Sequence, residues 1–386
     1  MSIINAVRVS RAPFAGLGAI GAYWGAFAAM APEIKAQAGA SDGAFGLALM
    51  GAAVGGMAIM YAGPRVAQAL GRFTLPFFIL VLVFVMQLPM FVHSVYALFP
   101  VMMLLGISMS GLDINANMRL SQLEERHGLH LMNVNHAMFS LCFGVSAFVV
   151  ASLRQSGWGV SDVLPVMGGV VLLLGMPTWE GKSWRPVEDD PVGTPAPGQL
   201  PWLLVGLVAV MLFVSFVGEN AIEAWSALFI ERELGGAPGD GGFGPTTLGL
   251  VMAAVRLLGQ VTTERLGEER VVFWSGVFGV VGALVIAAAP NQAVVLFGIA
   301  VTAVGMAVIV PTANSLLGKL VHRQHRALAI SRAWLFGFAG FFIGPSLIGL
   351  VSEGFGLRIA FVCVAMMVAV IIPAVMVIHN HRRQSV

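Results

Sequence analysis

Residues 111–140 read GLDINANMRLSQLEERHGLHLMNVNHAMFS and place ionisable and amide side chains among long apolar runs. Asp113 lies inside one apolar run and His136 inside the next, and we predict that Gln122–His130 between them is a charged loop. An apolar run of roughly 20 residues can cross a bilayer as a helix. A charge inside such a run is expensive, so it faces a partner or a water-filled cavity. The stretch therefore predicts a membrane protein with a functional polar site, although Asp113 could also be only a buried hydrogen-bonding post.

The composition indicates that lipid is the main solvent of this chain. Of the 386 residues 58% are hydrophobic and only 10% are charged, whereas soluble domains carry about 25% charged residues. The net charge of +2 is too small and too scattered for a nucleic-acid surface. Cys142 and Cys363 stand far apart in apolar runs, so we expect neither a disulfide nor a metal site.

We predict an all-α integral membrane protein with twelve transmembrane helices. The first apolar run has no persuasive small-residue cleavage site, so we expect a retained helix and not a signal peptide. Prolines inside spans are tolerated and mark bending points; they are Pro13, Pro311, Pro345 and Pro373. The predicted spans are approximately Arg11–Met30, Ala44–Ala62, Thr74–Phe91, Tyr96–Met118, Leu131–Leu153, Val163–Thr178, Trp202–Ile230, Pro245–Thr263, Val271–Ala289, Gln292–Leu317, Ala327–Val351 and Ile359–Ile378.

The basic residues predict the orientation of these spans. With both termini inside, four basic residues fall on the outer side: Lys35, Arg154, Arg232 and Arg358. Fifteen fall on the inner side: Arg8, Arg11, Arg65, Arg72, Arg119, Arg126, Lys182, Arg185, Arg265, Arg270, Lys319, Arg323, Arg326, Arg382 and Arg383. Because inner loops carry the excess of lysine and arginine, we expect both termini in the cytoplasm.

A long polar interruption divides the chain near its middle. Residues 180–199 read EGKSWRPVEDDPVGTPAPGQ, a composition typical of an irregular linker. We therefore predict a six-helix bundle over residues 1–179, a cytoplasmic linker over 180–200 and a second six-helix bundle over 201–386. The halves echo each other weakly: Gly46-Leu47 and Gly249-Leu250 each open a span, and parallel repeats of this kind occur in transporters.

The whole chain resembles the major facilitator superfamily, and three stretches resemble its fucose-permease-like branch and the uncharacterised bacterial inner-membrane relatives of that branch. They are GLDINAN with the following QLEER and NHAMFS, then GENAIEAWSALFIERELG (218–235), and PSLIGLVSEGFGLRIAF (345–361). The loop GPRVAQALGR (63–72) departs from the superfamily pattern, because Ala67 and Gln68 stand near the usual Asp-Arg pair. The resemblance implies a monomeric secondary transporter of the bacterial cytoplasmic membrane, and it assigns the proton-coupling acid of the branch to Asp113.

Few ionisable residues lie inside the predicted spans, and these are the candidate functional groups. Asp113 and Asn117 are four residues apart and share a helix face, and His136 lies at a similar depth in the next span, so the three could form one polar layer. His136 could equally be an interfacial packing residue. The proton-coupling candidates are Asp113, Glu219, Glu223 and His136.

Further residues are candidates for contact with a substrate: Asn117, Asn220, Arg256, Arg332, Tyr23, Trp225, Trp334 and Asn314. Arg256 could instead form a structural ion pair with Glu219 or Glu223, because charges inside membranes usually pair. Glu223 lies near the outer end of its span, where it could be a solvated rim residue. Arg332 could act at an inner gate, and tryptophans are also common at membrane interfaces.

These observations predict a secondary transporter that moves a small polar solute by alternating access and couples it to protons. Its expected partners are the solute, protons and the lipid bilayer. No Walker loop, metal-ligand spacing or Ser-His-acid arrangement occurs, so we expect no cofactor, no direct use of ATP and no enzymatic activity. Two alternatives stay open: a proton-driven exporter of amphipathic or drug-like compounds, and a non-transporting sensor or assembly protein on a transporter fold.

Overall fold

The computed structural model describes residues 3–181, 200–322 and 325–384, and over these ranges the chain is helical with no β-strand. A π-helical turn covers Phe229–Glu233, and short 3-10 turns connect several helices. The α-helices are Ile3–Val9, Arg11–Gln37, Asp42–Leu70, Thr74–Val85, Val95–His127, Met132–Gln155, Val160–Gly175, Trp202–Leu228, Phe243–Leu266, Glu268–Ala288, Gln292–Met306, Ile309–Leu320, Arg326–Gly337, Ala339–Phe355, Leu357–Ala369 and Ile371–Gln384. The all-α prediction is confirmed.

Within the described ranges, twelve helical segments are long and apolar enough to cross a membrane, which confirms the predicted number of spans. Helices suit this environment because they satisfy every backbone donor and acceptor within one segment. We number the spans in chain order: Arg11–Gln37, Asp42–Gly63, Arg65–Phe91, Val95–His127, Met132–Gln155, Val160–Thr178, Trp202–Glu233, Asp240–Leu258, Glu268–Ala288, Gln292–Leu320, Leu328–Phe355 and Leu357–Arg383.

The spans differ in how far the protein covers them. In the first span 89% of the most apolar window is buried, and in the seventh 67%. In the third, fourth and sixth spans the share is 39%. The first and seventh spans are therefore shielded from lipid, whereas the others keep an apolar face for the bilayer. The functional candidates on the two shielded spans are thus covered by protein.

Packing divides the chain into two compact units. The first comprises Met1–Val187 with Glu223–Leu257, and the second comprises Glu188–Ile222 with Leu258–Val386. The seventh span contributes residues to both units. The predicted bundles over 1–179 and 201–386 are defined by chain order and stay a prediction. Residues 182–199 of the predicted linker lie outside the described residues, as does Arg323 of the basic set.

Small residues bring the helices of the first unit close together. The second span packs against the fourth, and the first packs against the fifth. A Cβ on Gly106 would overlap the carbonyl oxygen of Ala52, and a Cβ on Gly25 would overlap that of Phe143. Glycine at these crossings lets the two backbones touch, which is how helices associate in a lipid environment.

Three of the four predicted proline bends coincide with a break between helices. A proline removes the bond to the carbonyl four residues earlier. The helices before Pro13 and Pro373 end at Val9 and Ala369, four residues earlier, and the helix before Pro311 ends at Met306. Pro345 lies inside the continuous helix Ala339–Phe355, so no break between helices coincides with it, and a bend there stays a prediction.

The predicted charged loop Gln122–His130 was wrong in extent, because the fourth span remains helical to His127. Gly128, in the left-handed conformation with φ 62°, ends it. The charged residues mark the point where the helix leaves hydrocarbon, and a helix can continue in water after that point. The motif GPRVAQALGR is likewise helical to Leu70 and then turns at Gly71, with φ 54°.

Gly106→Ala should lower the thermal unfolding midpoint, because the new methyl group would overlap the Ala52 carbonyl. Overpacking of this kind costs about 1–3 kcal/mol. Gly169→Ala is the matched control, since a Cβ at helical Gly169 meets nothing within 4 Å. The control should leave the midpoint unchanged or raise it, because alanine favours helix by about 1 kcal/mol over glycine. Equal midpoint changes in the two variants would contradict the close helix crossing.

Candidate functional site

Asp113, Asn117 and His136 form a chain of hydrogen bonds between the fourth and fifth spans. Asn117 Nδ2 donates to the backbone oxygen of Asp113 and to Asp113 Oδ1, both at 3.0 Å. Asn117 Oδ1 lies 3.2 Å from His136 Nε2. An amide oxygen only accepts, so this contact requires a hydrogen on His136 Nε2. The structure thus brings together the three residues that sequence spacing placed at one depth.

A short turn fixes the position of His136 opposite the fourth span. After the helix ends at Gly128, the Glu124 carboxylate accepts bonds from the backbone nitrogens of Leu131 at 2.5 Å and Met132 at 3.0 Å. These are donors that a helix start leaves without an intrahelical partner. The fifth span therefore begins at a defined point, and His136 lies in its second turn.

The polar chain continues from His136 to the eighth span through Ser140. The Ser140 hydroxyl donates to the backbone oxygen of His136 at 3.1 Å, and Arg256 Nη1 donates to Ser140 Oγ at 2.5 Å. Ser140 was missed in the sequence analysis. Its position four residues after His136, on the same helix face, is the signal that would have found it.

Two glycines explain how the eighth span reaches the fifth. A Cβ on Gly249 would lie 2.5 Å from the Gly144 nitrogen, and a Cβ on Gly144 would lie 2.8 Å from the Leu250 nitrogen. The backbones therefore cross in direct contact. Arg256 lies two turns beyond Gly249, which brings its guanidinium to the fifth span.

Glu223 is held by the first span. Trp24 Nε1 donates to Glu223 Oε2 at 2.8 Å, and the Trp24 ring stacks on Phe27 with centroids 5.2 Å apart. Only 5% of the Glu223 surface is exposed. The alternative of a solvated rim residue is therefore wrong: Glu223 is a buried carboxylate with an indole donor.

Tyr23 and Trp225 are completely buried, with 0% exposure. The Trp225 ring meets Phe45 edge to face, with centroids 5.9 Å apart. Tyr23 Oη and Trp225 Nε1 have no hydrogen-bond partner among the described residues. Trp225 is thus not an interfacial anchor. Buried polar atoms without partners are rare and call for an explanation.

The second unit positions four further candidates. Trp334 Nε1 donates to Asn314 Oδ1 at 3.0 Å, joining the eleventh and tenth spans. The Trp334 ring also lies 5.7 Å from that of Phe216. Asn220 Nδ2 donates to the Phe216 backbone oxygen at 3.0 Å, and Asn220 and Glu219 are both buried. Asn314 and Trp334 therefore form one contact, and Phe216 links it to the seventh span.

Arg332 does not take part in that contact. It lies in the helix Arg326–Gly337 with an exposed side chain. It forms no hydrogen bond or ion pair with any other residue in the described part of the chain. The structure therefore shows no neighbour through which Arg332 would be fixed.

Known proteins share both the sequence pattern and the architecture of this chain. The family model of the Major Facilitator Superfamily matches residues 208–385. An uncharacterised MFS-type transporter of Yersinia pestis is 25% identical over 358 residues, which cover 92% of this chain and 90% of that protein. The chain is thus similar over most of its length to a transporter of the major facilitator superfamily, and its second half matches the family model. These similarities indicate a multi-pass membrane transporter, with twelve candidate spans among the described residues.

Solved structures have a similar fold. A bacterial homologue of the human lysosomal transporter Spinster, in an inward-facing and occupied conformation, superposes with a TM-score of 0.70 at 14% identity, covering 97% of this chain and 96% of that one. The human organic anion transporter MFSD10 superposes with a TM-score of 0.60 at 17% identity, covering 96% of this chain and 99% of that one. The narrower resemblance to the fucose-permease-like branch stays a prediction.

A cluster of ion pairs in the first unit of this transporter was not anticipated from the sequence. Arg154, 6% exposed, binds both oxygens of Glu231 at 2.5 and 3.1 Å. Its Nε atom lies 3.5 Å from Glu33 Oε2. Beside this pair, Asp42 Oδ1 lies 2.6 Å from Arg232 Nη1 and 3.0 Å from Lys35 Nζ. We call these six residues, Glu33, Lys35, Asp42, Arg154, Glu231 and Arg232, the Arg154 cluster.

Local backbone geometry positions the acidic and basic side chains of the Arg154 cluster. Glu231 and Arg232 belong to the π-helical turn Phe229–Glu233 at the end of the seventh span. Glu231 Oε1 also accepts from the backbone nitrogen of Gly239, where φ is 96°. Three of the four basic residues predicted on the outer side belong to this cluster. The fourth, Arg358, donates to the backbone oxygens of Ala287 and Ala289.

Breaking the Arg154–Glu231 pair from one side should destabilise the transporter strongly. Arg154→Gln leaves a largely buried carboxylate and Glu231→Gln a buried guanidinium, and each loss costs about 3–5 kcal/mol. The double variant should unfold at a higher temperature than the summed midpoint decreases of the two single variants predict. Thermal unfolding of all variants in one detergent measures this coupling.

Glu233→Gln provides the control for the Arg154 cluster. Its contact with Arg232 is 3.4 Å long and partly exposed, so its loss should cost at most about 1 kcal/mol. Strictly additive single and double variants at Arg154 and Glu231 would contradict a direct energetic link between the two residues.

Proposed function

We propose that this protein is a proton-coupled secondary transporter that moves a small polar solute by alternating access. The observation that carries the proposal is the intramembrane chain Asp113–Asn117–His136, which joins a carboxyl group to an imidazole through one amide. Both end groups can gain and lose protons. An ion gradient is then the energy source, in keeping with a sequence that has no nucleotide-binding loop.

Asp113 is suited to the coupling role because its contact is with a neutral group. Among the described residues no lysine, arginine or histidine forms an ion pair with it. A carboxylate inside a membrane needs compensation for its charge, and a bound proton supplies it. Asp113 therefore binds the coupling proton in one stage of the cycle, with Glu219, Glu223 and His136 as further protonation sites.

The solute contacts in this proposal come from polar and aromatic side chains within the spans. Tyr23 and Trp225 in the first unit each bury a hydrogen-bonding atom without a partner among the described residues. A hydroxyl or carbonyl of a polar solute would satisfy them. Arg256 and Arg332 would bind its acidic or electron-rich groups. Further contacts come from the four amide and aromatic residues Asn117, Asn220, Asn314 and Trp334.

The membrane setting is also part of the proposal. The excess of basic residues on the predicted inner side supports cytoplasmic N- and C-termini. We further propose that the protein is a monomer of the bacterial cytoplasmic membrane, as its resemblance to the superfamily implies.

A thermal-shift screen tests the proposal and identifies the solute class. The purified full chain is heated with sugars, nucleosides, amino acids, organic acids and lipophilic cations at pH 5.5 and 7.5. Binding to the folded state raises the unfolding midpoint by mass action. We expect a polar solute to raise it, more strongly at one pH, and we expect Asp113→Asn to abolish that pH difference.

Glu125→Gln is the control for the Asp113→Asn screen. Glu125 is exposed on the same helix. Its substitution by Gln removes one carboxylate and leaves the polar chain unchanged. This variant should keep the pH difference. Binding by lipophilic cations alone would instead favour export of amphipathic compounds, and an unchanged pH difference in Asp113→Asn would remove Asp113 from the coupling role.

Two asparagines of the fourth span offer a matched test of the polar chain in proteoliposomes. Asn115 and Asn117 each donate to the backbone oxygen four residues earlier, at 2.7 and 3.0 Å. Only Asn117 also contacts Asp113 Oδ1 and His136. With the solute found in the screen, Asn117→Ala should reduce solute-driven proton uptake about tenfold, the loss expected for hydrogen bonds to a charged group. Asn115→Ala should change it little, and equal losses would contradict the role of the chain.

A further inference from the structure

A cavity lies at the start of the ninth span and the end of the twelfth, far along the chain from these polar residues. Its volume is about 470 Å³. Both span ends lie on the side that carries the basic majority, the cytoplasmic side by the positive-inside rule. We call it the Arg270 groove. Its wall includes Arg270, Arg382, Arg383, His379, Trp274 and Met376.

The acids in the wall of the Arg270 groove already have cationic partners. Glu269 Oε2 lies 2.5 Å from His379 Nδ1, and Glu269 Oε1 lies 3.2 Å from Arg382 Nη1. Glu268 Oε1 lies 2.8 Å from Lys319 Nζ. These two carboxylates are therefore compensated from within the protein and leave the groove with a surplus of positive charge.

Two arginines of the wall supply that surplus. Arg270 and Arg383 line the groove and are exposed. Neither forms an ion pair with another residue in the described ranges. A guanidinium presents a planar fork of donors that matches the oxygens of a phosphate group. Two such forks in one concave site favour a phosphate-bearing ligand.

The remaining wall is apolar and reaches the lipid-facing surface. Trp274 is 53% exposed and Met376 is 52% exposed. The Trp274 ring lies 6.4 Å from that of Phe278, which is 42% exposed and one turn further into the span. Tryptophan with an apolar body and one polar atom is typical of the level of lipid head groups. The groove thus combines cationic donors with an apolar surface suited to acyl chains.

We propose that the Arg270 groove binds the head group of an anionic phospholipid, with the phosphate between Arg270 and Arg383. The acyl chains then lie along Trp274 and Phe278. Basic pockets between transmembrane helices on the cytoplasmic side bind the head groups of anionic lipids. The lipid would join the ends of the ninth and twelfth spans, and this role is independent of the transported solute.

The test compares two double variants that remove equal charge. Arg270→Gln/Arg383→Gln removes the surplus positive charge of the groove. Arg8→Gln/Arg126→Gln removes two exposed arginines of the same membrane side that have no ion pair among the described residues. Each full-length protein in detergent is titrated with phosphatidylglycerol or phosphatidylcholine, and bound lipid is counted by native mass spectrometry.

We expect wild-type protein to bind phosphatidylglycerol more tightly than phosphatidylcholine. The groove double variant should bind phosphatidylglycerol about 30-fold more weakly, since each arginine near a lipid surface contributes about 1 kcal/mol of binding free energy. The Arg8/Arg126 variant should keep wild-type affinity, and Arg270→Lys/Arg383→Lys should keep most of it because the charge remains. Unfolding midpoints of the variants without lipid verify that each protein is folded.

Three results would overturn the proposal. Equal weakening in both glutamine double variants would show attraction by diffuse surface charge. Unchanged binding in the groove variant would place the lipid elsewhere. A rise of the unfolding midpoint with inorganic phosphate that matches the rise with phosphatidylglycerol would make the groove a site for a free anion.

Discussion

The hydrocarbon interior of a bilayer contains no solvent that can hydrogen-bond, so every polar group inside it must find a partner within the protein. This constraint selects helices for the backbone, and it also organises the side chains. Asp113 uses an amide, Glu223 uses the indole of Trp24, and Arg256 uses the hydroxyl of Ser140. Each contact joins different spans or different turns, so the polar residues of the first unit also hold its helices in register.

The partners of the ionisable groups differ with their position along the spans. In the Arg154 cluster, at the ends of the spans, acids and bases are paired at 2.5 to 3.5 Å. Such pairs keep their charges fixed, because the loss of one charge leaves a buried partner with less compensation. Asp113, in contrast, contacts a neutral amide. When Asp113 is protonated, no cation in the described part of the chain loses a partner. This suits a group that must change its protonation state during a transport cycle.

How much of this could be predicted from the sequence depended on whether partners lie on one helix or on several. The spans followed from apolar length, and the Asp113–Asn117 contact followed from a spacing of four residues. The contact of Asn117 with His136 required one more step, the equal depth of two consecutive spans. These inferences use only helix geometry and chain connectivity.

Partners from distant spans could not be found in that way. Trp24 and Glu223 are 199 residues apart, and Arg154 and Glu231 are 77 apart. Their contacts depend on which helix faces meet, and this is decided by small residues such as Gly144 and Gly249 at the crossings. The end of the fourth span was misplaced for a different reason: charge marks the membrane boundary, whereas the helix ends where a glycine turns the backbone.

The geometry of Asn117 also constrains how the polar chain can work. An amide holds its hydrogens and does not pass protons on, so in the proposed function Asp113 and His136 would be two separate protonation sites and not the ends of one relay. Because Asn117 Nδ2 is committed to Asp113, its oxygen faces His136 and requires a hydrogen on Nε2 in either charge state of the ring. Asn117 therefore holds both groups in place. In the proposed proton-coupled cycle each group would bind its own proton, and the two sites would be coupled by charge across the amide.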